Sequence, residues 1–354
     1  MSIKYIGMDV HQATIVIVVL DQAGKRVMET IIETRAWSIV QFLRGLEGSL
    51  YVTFEEGTYA DWLYDLLTPY VEKLVVCDPR KNKLLPAGHK SDKADARKLA
   101  EWLRRGELSA VYHGSRSLRT LKELSHSYLC LVQDTTRVMN RLKALFRGRG
   151  IGCSGRTVYQ VRQREQWLKL LTEAGARWRA ALLYQQLDLL QPLRKAAHQA
   201  LLMESRRQPA HQILRLIPGL GPTRVALLEA IVQTPYRFRS KRQFWSYVGL
   251  AVVTQSSAEY RVVDGRVCRS QKVVATRGLN QTHHHVLKDV FKSAATGAIQ
   301  RDPAFKLCYV RLTERGLSPE MARLTLTRKL AALTLALWKK GARYDPEHVK
   351  PQAA

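Results

Sequence analysis

The chain has 354 residues, 46% of them hydrophobic, and carries 57 Lys+Arg against 30 Asp+Glu, a formal net charge of +27. That length allows two or three domains with buried cores, and that charge favours nucleic acid as partner over an anionic membrane surface. The longest apolar run, "IVIVVL" at 15–20, is far too short to span a bilayer, and "MSIKYIGMDV" lacks a signal-peptide layout. Five scattered cysteines without CxxC spacing, Cys77, Cys130, Cys153, Cys268 and Cys308, predict reduced thiols in a cytoplasm and no structural zinc.

Three strands are predicted first: "KYIGMDV", "ATIVIVVLD" and, after the turn "QAG", "KRVMETIIE". A helix follows over 36–46, a strand over 49–55, a helix over 59–67 and a buried strand over 72–78. Residues 79–91 read as a basic loop punctuated by Pro and Gly, and a helix from Asp92 to about Arg105 closes the unit. A three-strand meander continuing into alternating helix and strand describes an α/β domain, here assigned to 1–108.

From Ser117 to about Arg147 residues suited to a buried seam recur at spacings of three and four, through Leu121, Leu124, Tyr128, Leu131, Thr135, Val138, Leu142 and Leu145. This is a heptad seam. After "GRGIGCSG" a second helix continues the rhythm with Leu183, Leu187, Leu190, Ala197 and Leu201, but places Arg194 in the seam. An antiparallel hairpin within one chain and an intermolecular coiled coil both fit, so 109–206 is predicted to be a helical coiled-coil arm. The length of the seam favours an oligomer, a dimer or a tetramer.

"LIPGLGPTRVALLEAIV" (216–232) sets Pro-Gly-x-Gly between two helical patterns. Amides freed by Gly219 and Gly221 at a helix N-terminus suit a DNA backbone phosphate, as in a helix-hairpin-helix element. "YRFRSKRQFWSYVGL" adds the cations Arg237, Arg239, Lys241 and Arg242 between aromatics. His283, His284 and His285 are adjacent; on a helix such residues point apart, so they are expected at the surface or facing phosphate rather than as metal ligands. The last long helix is predicted between Ser318 as N-cap, Pro319 at N1 and Gly341 beyond its end. Residues 207–300 are assigned to a second functional domain and 301–354 to a helical extension.

The acids hold the chemistry of the first domain. Asp9 lies within an apolar strand, where a carboxylate is costly unless paired. Glu55 and Glu56 end the fourth strand, while Asp92 and Asp95 start a helix, three apart and on one face. A sheet that joins strands one and four, with that helix across their ends, would gather four carboxylates to hold Mg²⁺. Two such ions can stabilise both the entering and the leaving oxygen of a phosphodiester.

"GMDVH", "FEEGT" and "KSDKADARKLA" resemble the DEDD, RuvC-like motifs of the IS110-family transposases, and "IPGLGPTRVALL", "YVGL" and "RGLNQTHHHVL" resemble the family's C-terminal transposase domain. The resemblance spans roughly 3–300. It implies an RNase H-like (RuvC-like) catalytic domain, a helical arm and a mainly helical transposase domain. Carried over by motif, the tetrad is Asp9, Glu55, Asp92 and Asp95, with Glu56 the alternative to Glu55. A nucleophilic serine is implied in "GLAVVTQSSAEY", read as a polar loop: Ser257, with Ser256 the alternative. Val252 and Ala258 stand where the family has proline and glycine.

What the resemblance implies is Mg²⁺-dependent cleavage and rejoining of DNA strands through that serine, with tetrad and serine able to come from different subunits. It further implies a noncoding bridge RNA that pairs with donor and target DNA, and a place on the nucleoid of a bacterium or archaeon. Sequence choice then belongs to base pairing, and the protein binds backbone and shape. Arg137, Arg141, Lys143, Arg147 and Arg149 on the arm join the cations near the hairpin as expected backbone contacts. Two other readings compete: a RuvC-like structure-selective nuclease that uses the tetrad and water, and a non-catalytic nucleic-acid-binding scaffold.

Overall fold

The computed structural model describes residues 2–79, 91–114, 118–257, 260–263, 265–269 and 274–349. Two compact units make up the chain, Met1–His113 and Gly114–Ala354. No helix among the described residues is long and apolar enough to cross a membrane.

The first unit is built on one mixed sheet. Strands β1 (Ile3–Val10), β2 (Thr14–Leu20) and β3 (Arg26–Glu33) form an antiparallel meander. Helix α1 (Ala36–Arg44) leads to β4 (Ser49–Glu55), and α2 (Ala60–Leu67) to β5 (Lys73–Cys77). The strand order is β3-β2-β1-β4-β5, with β4 parallel to both β1 and β5. Most of the predicted basic loop, 80–90, lies outside the described residues. Helix α3 (Asp92–Arg105) follows, held at its start by Ser91, whose hydroxyl accepts from the Ala94 amide, and ended by Gly106 at φ +72°.

Alternation along the strands decides which helix covers which face. Ile6 and Met8 of β1 pack with Val52 and Phe54 of β4 beneath Ile39, Leu43, Leu63 and Leu67 of α1 and α2. The opposite face, with Tyr5, Val16, Val18 and Leu20, receives Ala96 and Ala100 of α3. Gly7 lies on that face, and a Cβ built there would come within 2.1 Å of the Ala96 carbonyl oxygen and 2.5 Å of the Ala100 amide nitrogen. Backbone therefore meets backbone across this contact, and the N-terminus of α3 reaches the end of β1.

The second unit is mostly helical. Helix α4 (Arg119–Arg147) returns through a short α5 (Arg164–Lys169) into α6 (Ala174–Arg206). Val138, Leu142 and Leu145 of α4 pack with Ala176, Ala180, Leu183 and Leu187 of α6, so the seam read from the sequence is closed within one chain. The far ends of both helices, Leu121 and Leu201, enter a larger core. That core is formed with α7 (Pro209–Arg215), α8 (Pro222–Val232), α9 (Lys241–Tyr247), α10 (His285–Arg301), α11 (Pro303–Glu314) and α12 (Pro319–Lys340). The Ser318 hydroxyl caps α12 by accepting from the Met321 amide, and Gly341 ends it at φ +63°, as the sequence predicts. Between α9 and α10, β6 (Val252–Ser257) pairs antiparallel with β9 (Val274–Leu279), and β7 (Tyr260–Val263) with β8 (Arg266–Arg269).

Helix α8 is apolar nearly all round and runs through the core, yet it carries Glu229, only 1% exposed. The Ser205 hydroxyl donates to Glu229 Oε2 (2.5 Å) and meets His211 Nδ1 (2.8 Å), while Oε1 has no hydrogen-bond partner among the described residues. Burial pushes this carboxyl up to about 8, only partly offset by the Ser205 hydrogen bond. His211 is lowered by burial and by Arg215 and Arg206, so above its ordinary value near 6.5 it is neutral in folded and unfolded chain alike. A raised carboxyl stabilises the fold fully below its unfolded value near 4.5 and loses that contribution as pH rises through the folded value. Between pH 7 and 8.5 the wild type is therefore expected to lose up to about 1.4 kcal/mol per pH unit through this group. Glu229→Gln is expected to remove that slope; denaturant unfolding at both pH values checks it, and parallel losses in the two proteins would sink the assignment.

Candidate metal centre

Asp9 is the penultimate residue of β1 and Glu55 the last of β4. The parallel register pairs Met8 with Phe54, so Asp9 and Glu55 stand one step further on, side by side at the strand ends. Since Met8 and Phe54 point into the core, their successors lie on the face that α3 covers. Asp92 and Asp95 occupy the first turn of α3, where the helix dipole favours negative charge. Asp9 and Asp92 thus meet, with the charge of Asp95 felt there: burial raises the Asp9 carboxyl, and the charges of Asp92 and Asp95 raise it further against the opposing His11.

His11 is the residue that sequence reasoning missed as a donor. Its Nε2 lies 3.2 Å from Asp9 Oδ2 and 3.5 Å from Asp92 Oδ2, and one donor atom from each of the three fits within 4.8 Å. The signal was available, because a residue two after Asp9 in an extended segment returns to the same side. Donors around a divalent ion at about 2.0–2.6 Å stand about 3–5 Å apart, so the set has the spacing and chemistry for such an ion. Asp95 itself pairs with Lys98, whose Nζ lies 3.4 Å from its Oδ1.

The doubled glutamate is divided by structure. Glu56 Oε2 lies 2.7 Å from His113 Nε2, whose Nδ1 is 3.2 Å from Asp61 Oδ1 and whose ring stacks on Tyr64 with centroids 4.8 Å apart. His113 has only 5% of its side chain exposed, so this contact ties Glu56 to α2. Glu55 keeps the register position beside Asp9.

In the second unit Ser256 and Ser257 end strand β6, opposite Ala275 and Val274. The polar loop expected there is instead one arm of a ribbon, since the β-branched run of β6 finds a partner strand more than fifteen residues later. The side chain of Ser257 lies outside the described residues, as does Ala258. The histidine tract also differs from expectation: α10 begins only at His285, so His283 precedes it, and the two rings lie 4.5 Å apart. His283 fills the space over Gly249, where a Cβ would fall 2.4 Å from the ring.

Several predicted backbone contacts already hold partners. Arg137 pairs with Asp134 (2.8 Å) and Arg149 with Glu173 (2.6 Å), while Lys143 and Arg147 donate to the carbonyls of Gly155 and Cys153. Arg141 is exposed and makes no hydrogen bond or ion pair among the described residues. Arg237 donates to the carbonyls of Ile231 and Val232 and covers the Tyr247 ring, and Lys241 lies over Trp245. Arg239 and Arg242 flank the start of α9. Gly219 serves packing, at φ +79° with a Cβ position only 2.0 Å from the Ala294 carbonyl oxygen; around Gly221 the space is open.

Comparison with known proteins bears on both units. The DEDD-type IS110 transposase model matches residues 6–149, and the model of the transposase IS116/IS110/IS902 family matches residues 211–276. No curated protein matches the chain. The first match spans Asp9, His11 and Asp92, the second α8 and the β6 ribbon; over both stretches, more than half its length, the chain belongs to the IS110 family of transposases.

Proposed function

We propose that this transposase cuts and rejoins DNA strands with Ser257 as nucleophile, using Mg²⁺ held by Asp9, Glu55, Asp92 and Asp95. The observation that carries the reading is the convergence of Asp9 and Asp92, with His11, at the end of β1, where Asp95 adds its charge. A bound Mg²⁺ would neutralise charge on the scissile phosphate and its transition state. The chain's own residues do the rest. Apposed strand ends fix Asp9 and Glu55, the capped first turn of α3 fixes Asp92 and Asp95, and His113 holds Glu56 away from the set.

Ser257 Oγ attacks the phosphorus, forming an Oγ–P bond as a P–O bond to deoxyribose breaks. The serine proton leaves with the reaction and the sugar oxygen departs as a hydroxyl. Reversal by a hydroxyl from another strand rejoins the DNA without external energy, because the phosphodiester's free energy is kept in the phosphoserine. Residues 1–108 then form the catalytic domain, 109–206 the arm that binds nucleic acid and assembles a dimer or tetramer, 207–300 the serine-bearing domain and 301–354 its helical extension. Sequence choice comes from a noncoding bridge RNA, as the family resemblance implies, and duplex DNA is held through Arg141, Arg239, Arg242 and the amides at Gly221.

Ser257→Ala is expected to lower strand cleavage by about a thousandfold or more and to abolish a covalent protein–DNA adduct on a denaturing gel, with DNA affinity kept. Ser256→Ala should stay near wild type. Cutting that survives loss of both serines, without adduct, would establish the hydrolytic nuclease instead.

A further inference from the structure

The cation in the heptad seam borders a cleft. Along α6 the seam residues Leu183, Leu187, Leu190, Ala197 and Leu201 are interrupted by Arg194. Arg194 is exposed, and a cation at a seam position forfeits packing and gains nothing unless something meets it. Arg194 makes no hydrogen bond or ion pair among the described residues. Across from it on α4, Thr135 spends its hydroxyl on the Leu131 carbonyl (2.7 Å). The two helices are closed by apolar packing at both ends of the arm, and between those ends a cleft of about 770 Å³ opens beside Tyr159 and Arg156 of the connecting segment.

Its lining has a consistent chemistry. Arg156, Arg194 and Lys195 contribute three cations, none with an ion-pair partner among the described residues, and no carboxylate lines the space. Tyr128 and Tyr159 contribute aromatic surface, and Gln160 and Gln191 contribute amides that both donate and accept. Tyr128 is held by a stacked His198 with centroids 5.0 Å apart, and the Tyr159 hydroxyl donates to the Met139 carbonyl (3.2 Å), so both rings are positioned. Proline at 192 removes one backbone donor from α6 at the rim.

Cations alone would suit any phosphate, and aromatics alone any apolar group. Amides beside both suit a nucleotide: phosphate, stacking face and hydrogen-bonding edge. The volume falls within the about 300–1,000 Å³ of small-ligand pockets, room for one or two nucleotides, whereas a paired base in a duplex cannot enter. We propose that this cleft receives an unstacked nucleotide from a single-stranded segment of RNA or DNA. The proposal rests on the reading of the chain as a nucleic-acid-processing enzyme, and adds a site of single-strand recognition on the arm.

Arg194→Leu tests it without loss of a fold contact, because Arg194 is exposed and makes no hydrogen bond or ion pair among the described residues. Binding of the full chain to labelled oligo(rU) and oligo(dT) 12-mers and to a 20-base-pair DNA duplex is read by fluorescence anisotropy at one salt concentration. Arg194→Leu and Arg156→Ala are each expected to weaken single-strand binding about tenfold and duplex binding less than about twofold. The stronger of the two 12-mers identifies the source as RNA or DNA. Equal weakening for strand and duplex means general charge attraction and overturns the cleft, as does no change in either variant. A wild type that binds none of the three probes overturns the enzymatic reading itself.

Discussion

Asp9→Asn is expected to reduce strand cleavage by about a thousandfold or more while leaving the fold intact. The substitution keeps shape and removes only charge, at the residue on which His11 and Asp92 converge. Its effect on stability should run the other way. Burial raises the Asp9 carboxyl, and Asp92 and Asp95 repel it, so its folded value lies above the unfolded one. A raised carboxyl costs stability once pH exceeds that folded value, which makes the ionised Asp9 a burden at neutral pH. Asparagine lifts the burden, as often happens when a functional group is removed from a site shaped for something other than stability. Thermal melts with and without millimolar Mg²⁺ give a readout independent of cleavage. The wild type should gain melting temperature with the ion through binding linkage, and Asp9→Asn should gain much less. An Asp9→Asn protein that cleaves normally, or a wild type indifferent to Mg²⁺, would remove the metal from the account.

Much of the first unit was legible because its determinants are local. Alternation in "YIGMDV" and "IVIVVL" fixes strands and faces, while Ser91 and Gly106 bound α3 with their own backbone chemistry. From these the meeting of Asp9 with Asp92 follows once α3 is laid against β1 at Gly7, and the place of Glu55 once β4 runs parallel beside β1. What was not legible depends on partners distant in sequence. His113 reaches Glu56 across 57 positions, and nothing near either residue announces it. Gly219 looked like an opening for phosphate and proved to be where Ala294 of α10 passes. Glu229 sits in a helix whose apolar periodicity is lost because every face is buried, so no pattern reveals the depth of its carboxyl. The β6 ribbon was invisible for the same reason: a two-stranded pairing needs its second strand, and β9 is separated from β6 by another hairpin. Arg194 is the instructive middle case. As a break in a heptad it was plain from the sequence, but only the space around it gives the break a chemistry.

Gly7→Ala is expected to be the most damaging single-methyl change in the first unit. Most glycines tolerate alanine unless φ is positive, and Gly7 is not among the positive-φ glycines, so backbone strain is not the reason. The added carbon would lie 2.1 Å from the Ala96 carbonyl oxygen and 2.5 Å from the Ala100 amide nitrogen, and neither is a side chain that can rotate away. Helix α3 must therefore lift from β1 by an ångström or more. Overpacking of this kind costs about 1–3 kcal/mol, and more where backbone must move. The lift also carries Asp92 and Asp95 away from Asp9, since they occupy the first turn of the same helix. Metal sites tolerate donor displacement of only a few tenths of an ångström. Cleavage should fall by at least about a hundredfold even at temperatures where the variant remains folded, with Mg²⁺ no longer raising its melting temperature. A compensating Ala96→Gly leaves the offending carbonyl in place and should not rescue either property. Wild-type cleavage and an unchanged melting temperature in Gly7→Ala would mean that α3 does not hold the acids against the strand ends, and the metal centre would lose its scaffold.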